Sequence, residues 1–584
     1  MARTPVTYGP QPNGDEAGIM APVRYIGNFH KTLPHDEFGQ VIPAAFMEFS
    51  SICRQGGHSG NFERVQQGPL TAANQTTFVG SIPPAVAKLN NPQAGRAVDP
   101  SGPDPLHLEM QPAPGILSAS TAAEMAELYW MASLRDATFD TWESAARADF
   151  DLAIADLDTM FRAAVADTAD PGRLQPGADL PAHGELLDLR LNTLFRVGLP
   201  NEDLGPLVSQ FFLQDFNYGA QRIDQTIVPY RSGQDYLTSH GDWLLAQNTG
   251  YDKFGHDYGG DNDRGEMPDP FETPPDRRHI ASMRDLARFV NRDALHQAYF
   301  NAALQLLNWG VKSGPGNPYE SYQRQGGFGT LGGPHLLALV SEVASRALKV
   351  VWRQKWLVHR RARPEVFGGL MQMQRGGLGG VTQNYGIPET AFGAAAERVK
   401  TATGTYFLPM AYTAGSPPHP SYGAGHACVA GACVTILKAW FRDQNLASTI
   451  DNQQPGRVPG PGKDPGDPPR ILQPGAKGPT SPLGDYSGID RSAMTVHGEL
   501  NKIAANVAMG RSMGGVHWRS DNTRSLRLGE RVATIMLRRL LPTLAERPVQ
   551  LDYVNFDGDE VTINSNGTVA VPCDAELAEF YSRS

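Results

Sequence analysis

The sequence is short of cysteine, of long apolar runs and of concentrated positive charge, and each shortage excludes a class of protein. Four cysteines (Cys53, Cys428, Cys433, Cys573) in 584 residues are too few and too scattered for a disulfide framework. None stands in CxxC or CxxCH spacing, which removes zinc ribbons and c-type haem attachment. No apolar stretch reaches the roughly 18 residues that a membrane-spanning helix needs. The start, Met1-Ala2-Arg3-Thr4-Pro5, has no apolar h-region, so no signal peptide is expected and a cytoplasmic location is the default. Lys+Arg (51) fall below Asp+Glu (61), for a net charge of −10. The densest basic tract is only His359-Arg360-Arg361-Ala362-Arg363. The electrostatic footprint of a nucleic-acid binder is therefore missing. Neither nucleic acid nor membrane is an expected partner.

Glycine (62) and proline (46) are in excess over their combined background of about 12%. With 40% hydrophobic and 19% charged residues, this describes a globular chain with long ordered loops. Residues 1–115 read as a loop-rich N-terminal arm wrapped on something else, and 116–584 as a helical domain. Thr121-Ala-Ala-Glu124 resembles a capping box ahead of a helix carrying Met125, Leu128, Tyr129 and Ala132. Further helices are expected near 140–167, 186–197, 203–215, 283–308, 334–360, 388–402, 424–441, 497–513 and 522–545. The Pro/Gly-rich stretch from Gln453 to Gly484 reads as a surface insertion. Asn566-Gly567 between Val561-Thr-Ile and Thr568-Val-Ala-Val signals a β-hairpin. The fold class is mainly α: a helical bundle with long loops and a minor β-hairpin, not a parallel α/β sheet.

Three segments carry chemistry. On a continuous helix Lys355, His359 and Arg363 fall within about 80° of one another, and Pro364 ends that helix. A lysine point charge beside an arginine fork suits an oxyanion, although for this segment alone a solvated basic face is the favoured reading. In His419-Pro-Ser-Tyr-Gly-Ala-Gly425-His426, small residues at a loop-to-helix junction let backbone N–H groups approach an anion. Alone it is also a glycine-rich turn flanked by surface histidines. In Gly510-Arg511-Ser-Met-Gly-Gly-Val-His517-Trp-Arg-Ser-Asp521, Arg511 and His517 would lie some 240° apart on a helix, but Gly514-Gly515 lets the chain turn. Asp521 can take the Nδ1–H of His517 and leave Nε2 free, or the two are an ordinary His–Asp pair.

Taken together and in this order, the segments resemble the vanadium-dependent haloperoxidases, which share an anion pocket with acid phosphatases. The family pattern is a Lys before Arg-Pro, then Ser-Gly-His, then an Arg followed six residues later by His. Likeness to the red-algal bromoperoxidases and their bacterial relatives is densest over Lys355–Gly369, His419–Phe441 and Gly498–Ala533. The resemblance implies vanadate as cofactor, bonded by His517 and neutralised by Lys355, Arg363 and Arg511, with the Gly425 N–H as a further donor. It implies His426 as acid–base group and His419 as the additional histidine of bromoperoxidases. Asp293, on an expected Phe289–Asn308 helix, is a candidate to buttress Arg511, and Asp521 to support His517 from behind.

Two departures stand out: Ala424 replaces the serine before Gly-His, and Trp352 stands where red-algal enzymes have Arg and fungal chloroperoxidases Trp. Ser313–Gly327 offers only Glu320 as a carboxylate, so structural calcium is not expected. The implied reaction uses hydrogen peroxide to oxidise bromide or iodide to hypohalous acid, which halogenates small organic molecules; His419 and Ala424 argue against chloride. Other readings are an acid phosphatase with His517 as phosphoryl acceptor, and an anion-binding or cage-forming structural protein. A homo-oligomer, dimer or dodecamer, is expected from the resemblance.

Overall fold

A computed structural model describes residue 15 and residues 25–54, 59–69, 86–99, 102–144, 146–258, 277–451, 470–475 and 483–583. Most of the Gln453–Gly484 insertion lies outside them. The helices, in chain order, are α1 (Pro43–Arg54), α2 (Ala119–Leu134), α3 (Arg147–Ala166), α4 (His240–Thr249), α5 (Met283–Arg292), α6 (Gln297–Trp309), α7 (Gly333–Arg353), α8 (Pro364–Met371), α9 (Ala394–Thr403), α10 (Gly425–Trp440), α11 (Leu446–Asp451), α12 (Val496–Met513), α13 (Arg519–Leu540) and α14 (Ala575–Arg583). Sheet is confined to small antiparallel pieces. They are β1 (Ala182–His183) with β2 (Leu186–Leu187), β3 (Phe216–Tyr218) with β4 (Gln221–Ile223), and β5 (Leu472–Gln473) with β6 (Gly484–Asp485). Near the C-terminus β7 (Gln550–Val554), β8 (Glu560–Asn564) and β9 (Val569–Ala570) form a three-stranded sheet, whose β8–β9 turn is the expected Asn566-Gly567.

The core centres on α10, which packs on α7, α12 and α13. It is apolar on every side and buried except at His426, as a helix enclosed by other helices must be. The α10–α13 crossing is backbone-close. A Cβ at Gly431 would stand 1.9 Å from the Leu526 carbonyl oxygen, and one at Gly529 2.0 Å from that of Cys428. This approach locks the helix that opens at Gly425 to the helix that opens after His517.

Several sequence expectations change. Residues 186–197 and 203–215 are turns and short strands with a single 3₁₀ turn at Gln210–Phe212, because Gly184, Gly198, Pro200, Gly205 and Pro206 interrupt the pattern. Their apolar side chains, such as Leu194 and Phe195, still reach the core from loops. The 283–308 helix is two helices, broken at an extended Asp293. The cap ahead of α2 is Ser118, whose hydroxyl accepts the Thr121 N–H; Glu124 is used elsewhere. The helix holding Lys355 widens to a π-type turn over Gln354–His359 and stops at a left-handed Arg360 (φ 47°). Arg363 caps the next helix, α8, so Lys355 and Arg363 do not share one helical face. They converge through the turn instead.

The described part of the arm is not only loop. α1 packs Phe46 and Phe49 with Phe29 against Trp356 and Leu357. Asn28 pairs with Arg361 as an antiparallel bridge, and the Phe29 and Ala362 amides bond across it. Lys31 reaches the Glu365 carboxylate (2.7 Å) and the Ala414 and Ser416 carbonyls. The arm thus clamps both strands of chain that approach the cationic cluster.

Candidate active site

Lys355, wholly buried, donates from Nζ to the Pro420 and Ser421 carbonyls at 2.8 and 3.0 Å. Arg363 donates from Nε to the His419 carbonyl (3.0 Å), from one amino group to the Val516 carbonyl (2.6 Å) and His517 Nε2 (3.0 Å), and from the other to His419 Nδ1 (2.9 Å). Arg511, near the end of α12, donates to the Val290 carbonyl (2.7 Å), and its guanidinium lies over the Tyr258 and Tyr412 rings. Its buried Nε has no partner among the described residues. The chain then turns through Gly515 (φ 86°), which brings His517 back toward Arg511. His517 Nδ1 lies 2.9 Å from Asp521 Oδ2, so the carboxylate holds the Nδ1–H tautomer and leaves Nε2 with its lone pair. Asp521 also accepts the Trp518 N–H and the Ser421 hydroxyl.

The loop after His419 delivers Gly425 as the first residue of α10, with Ala424 supplying no side-chain cap to its free N–H groups. A Cβ on Gly425 would press to 3.0 Å on the Trp352 ring, so only glycine fits there comfortably. Trp352 donates its indole N–H to Asn90 and tilts against His419, centroids 5.1 Å apart. The Ala424 N–H goes to Ser525 Oγ at 2.8 Å.

Asp293 raises the Arg511 guanidinium electrostatically, as a buttress would, but its hydrogen bond goes elsewhere. It ends α5, and its Oδ1 lies 3.0 Å from His426 Nε2, while Arg511 is held by the Val290 carbonyl. The break between α5 and α6 makes this possible: an aspartate at a helix end is free to aim its carboxylate at a neighbour. His359, expected beside Lys355 and Arg363, is turned away onto Tyr422. The other expected site residues come together.

Sequence reasoning missed Arg361, which bridges Asp521 (3.0 Å) and Glu124 (2.7 Å). Glu124 in turn receives the Ser520 N–H and hydroxyl, both at 2.6 Å. An acid inside the apolar 121–132 pattern and an arginine between Lys355 and Arg363 were the available signals.

The three cations are not shifted alike: burial lowers Arg511, but Tyr258, Tyr412 and Asp293 outweigh it and raise that guanidinium. Burial, followed by the Arg363 charge, lowers the Lys355 ammonium well below its ordinary value. Burial and Arg511 bring Arg363 down to about 9. Burial and the same cations hold His517 and His419 well below the usual imidazole value, and burial lowers His426 despite Asp293. Lys355, Arg363 and Arg511 bond to carbonyls, aromatic faces and imidazoles, never directly to a carboxylate among the described residues.

Residues 335–544 match the family model of the second helical-bundle domain of vanadium chloroperoxidases. The vanadium-dependent bromoperoxidase of Corallina pilulifera is 32% identical over 92% of this chain and 91% of its own. That of Ascophyllum nodosum is 29% identical over 93% of this chain and 87% of its own. The chain belongs to the vanadium-dependent bromoperoxidase family. A solved structure of the second vanadate-dependent bromoperoxidase of Ascophyllum nodosum, described as homohexameric, superposes with a TM-score of 0.73 at 25% identity, over 96% of this chain and 89% of that one. It shares the helical fold.

The residues present fit the family's cofactor. A vanadate oxyanion needs a nitrogen ligand and several cationic or N–H donors. This bromoperoxidase-family site offers His517 Nε2, Lys355, Arg363, the orphaned Arg511 Nε and the open start of α10.

Proposed function

We propose that this bromoperoxidase-family enzyme carries out its peroxide-dependent halide oxidation in this cationic cavity, with vanadate held by Lys355, Arg363, Gly425, Arg511 and His517. The observation that carries the assignment is the trio of buried cations without a directly bonded carboxylate among the described residues, converging beside an imidazole whose Nε2 Asp521 keeps as an acceptor, bonded here only by the Arg363 guanidinium. When bound, vanadate supplies a Lewis-acidic centre that polarises hydrogen peroxide for attack by halide.

The chain's own groups do the rest. Asp521 fixes the His517 tautomer, and Arg361 with Glu124 holds Asp521 in place. His426, whose Nε2–H is taken by Asp293, keeps a lone pair at Nδ1 and serves as the base for the peroxide proton and the acid for its return. His419 receives the Arg363 guanidinium and sits against Trp352, forming a polar-and-aromatic wall for the halide. Chloride holds its water more tightly than bromide, and the imidazole wall with the missing Ala424 hydroxyl favours bromide and iodide. Assembly as a homo-oligomer is supported by the homohexameric neighbour. Light scattering separates dimer, hexamer and dodecamer.

The test is halogenation of a 1,3-diketone with bromide and peroxide before and after incubation with orthovanadate. Vanadate should switch activity on, excess phosphate should suppress that activation, and His517→Ala should retain no vanadium. Phosphate-ester hydrolysis in place of bromide turnover would establish the phosphatase reading instead.

A further inference from the structure

Away from this cavity, Asp215, Asp224 and His279 bring three ligand-type atoms within 4.8 Å of one another. Asp215 directly precedes β3, Asp224 directly follows β4, and His279 neighbours the Ile227↔Arg278 bridge that joins this hairpin to the chain entering α5. We propose that Asp215, Asp224 and His279 form a binding site for a zinc-class divalent cation that staples the β3–β4 hairpin to the segment leading into α5.

The individual atoms support this more than the cluster alone. The Asp215 side chain is 2% exposed and His279 14%. His279 Nε2 is out of solvent, has no hydrogen-bond partner among the described residues and stands 4.0 Å from Asp215 Oδ1. An imidazole nitrogen kept from water without a partner is costly, and a cation between it and the carboxylate relieves that cost. The two oxygens of Asp215 have divided roles. Oδ2 receives the Arg222 guanidinium at 3.0 Å, whereas Oδ1 takes the Gln225 N–H at 3.1 Å and is the oxygen that faces His279 Nε2. Asp224 Oδ1 accepts the Thr226 N–H at 2.8 Å, which orients the carboxylate. Two carboxylates with Arg222 leave the cluster one negative charge.

Mixed imidazole and carboxylate ligation selects a zinc-class ion over calcium or magnesium, which take oxygen ligands throughout. Ligand arms of about 2.1 Å in tetrahedral geometry place donors about 3.4 Å apart, so Asp215 and His279 need close by only about 0.6 Å. Asp224 is on the exposed side, leaving the fourth position to water.

The experiment is equilibrium dialysis of the chelator-stripped full-length protein against Zn²⁺, with metal counted by mass spectrometry, and Co²⁺ absorption as a second readout. A Cys573→Ser background removes the exposed thiol. One saturable equivalent is expected, with visible Co²⁺ bands and a rise in Tm. His279→Ala and the exposed Asp224→Asn should each weaken binding by at least about 10-fold, and Asp224→Asn should leave bromide oxidation of the vanadate-loaded enzyme unchanged. No saturable binding, or the same equivalent bound equally well by both variants, would overturn the site.

Discussion

Arg361 and Arg363 lie two residues apart, both wholly buried, and their environments are opposite. Arg361 is ion-paired to Glu124 and Asp521, which outweigh the effect of burial and raise its pKa. Arg363 has no ion pair among the described residues, and burial together with the Arg511 charge pulls it down to about 9. The same contrast extends outward. Arg519 pairs with Glu127, Arg524 with Asp179 and Lys31 with Glu365, so a shell of directly ion-paired cations surrounds a centre whose cations feel carboxylates only at longer range. The shell is structural, since a buried cation with a bidentate or shared carboxylate is a finished interaction. The three central cations have no such direct partner among the described residues.

This contrast can be broken at both ends. Arg361→Ala strands Asp521 and Glu124 in the core and should destabilise the vanadate-free protein by about 3–5 kcal/mol in denaturant titration. Lys355→Met removes a cation that bonds to carbonyls and to no carboxylate, and should leave vanadate-free stability unchanged or higher while abolishing vanadate retention. Equal losses in the two variants would erase the distinction between shell and centre.

Filling the centre should stabilise the whole fold. Vanadate or phosphate at about 100 times its dissociation constant should add about 2.7 kcal/mol, read as a rise in Tm. That gain should vanish in Lys355→Met.

Next in size is a pH effect in the shell. His30 Nδ1 and His35 Nε2 meet at 2.8 Å in the arm, and burial holds His30 well below the ordinary value and His35 at about 4. The unfolded chain therefore binds protons that the folded chain refuses. Stability is intact above about pH 6.5 and falls as pH drops toward 4, with His35 alone contributing about 2 kcal/mol between pH 7 and 5. His35→Gln should flatten the profile of unfolding free energy over that range.

The smallest effect belongs to Ala424→Ser. One added hydroxyl at the start of α10 should tighten vanadate by a factor of a few to about ten, the worth of about 1 kcal/mol of hydrogen bonding. No change would show that the Ser525 hydroxyl, already bonded to the Ala424 N–H, orders this helix start sufficiently.

The long amphipathic or wholly apolar helices were legible because their signal is local. The expected 424–441 and 497–513 helices match α10 and α12 to within a residue at each end. The failures were equally physical. Between residues 186 and 215 the apolar spacing looks helical, but Gly and Pro set the backbone and the side chains reach the core from turns. The break at Asp293 carries neither Gly nor Pro, and what accompanies it, a hydrogen bond to His426 133 residues away, has no local signal in the sequence.

Residue chemistry and order along the chain were enough to determine the helical class and the family, and to single out Lys355, Arg363, His426, Arg511 and His517 as the candidates for an oxyanion site. These follow from side-chain type and short-range spacing, which folding does not change. Tertiary structure alone decided how the pieces meet. A π-type turn and a left-handed Arg360, held by the arm, bring Lys355 and Arg363 together, and an interrupted helix gives Asp293 to His426. Which buried cations have counter-charges and which do not is a property of neighbours distant in sequence, and that distribution separates the scaffold from the site.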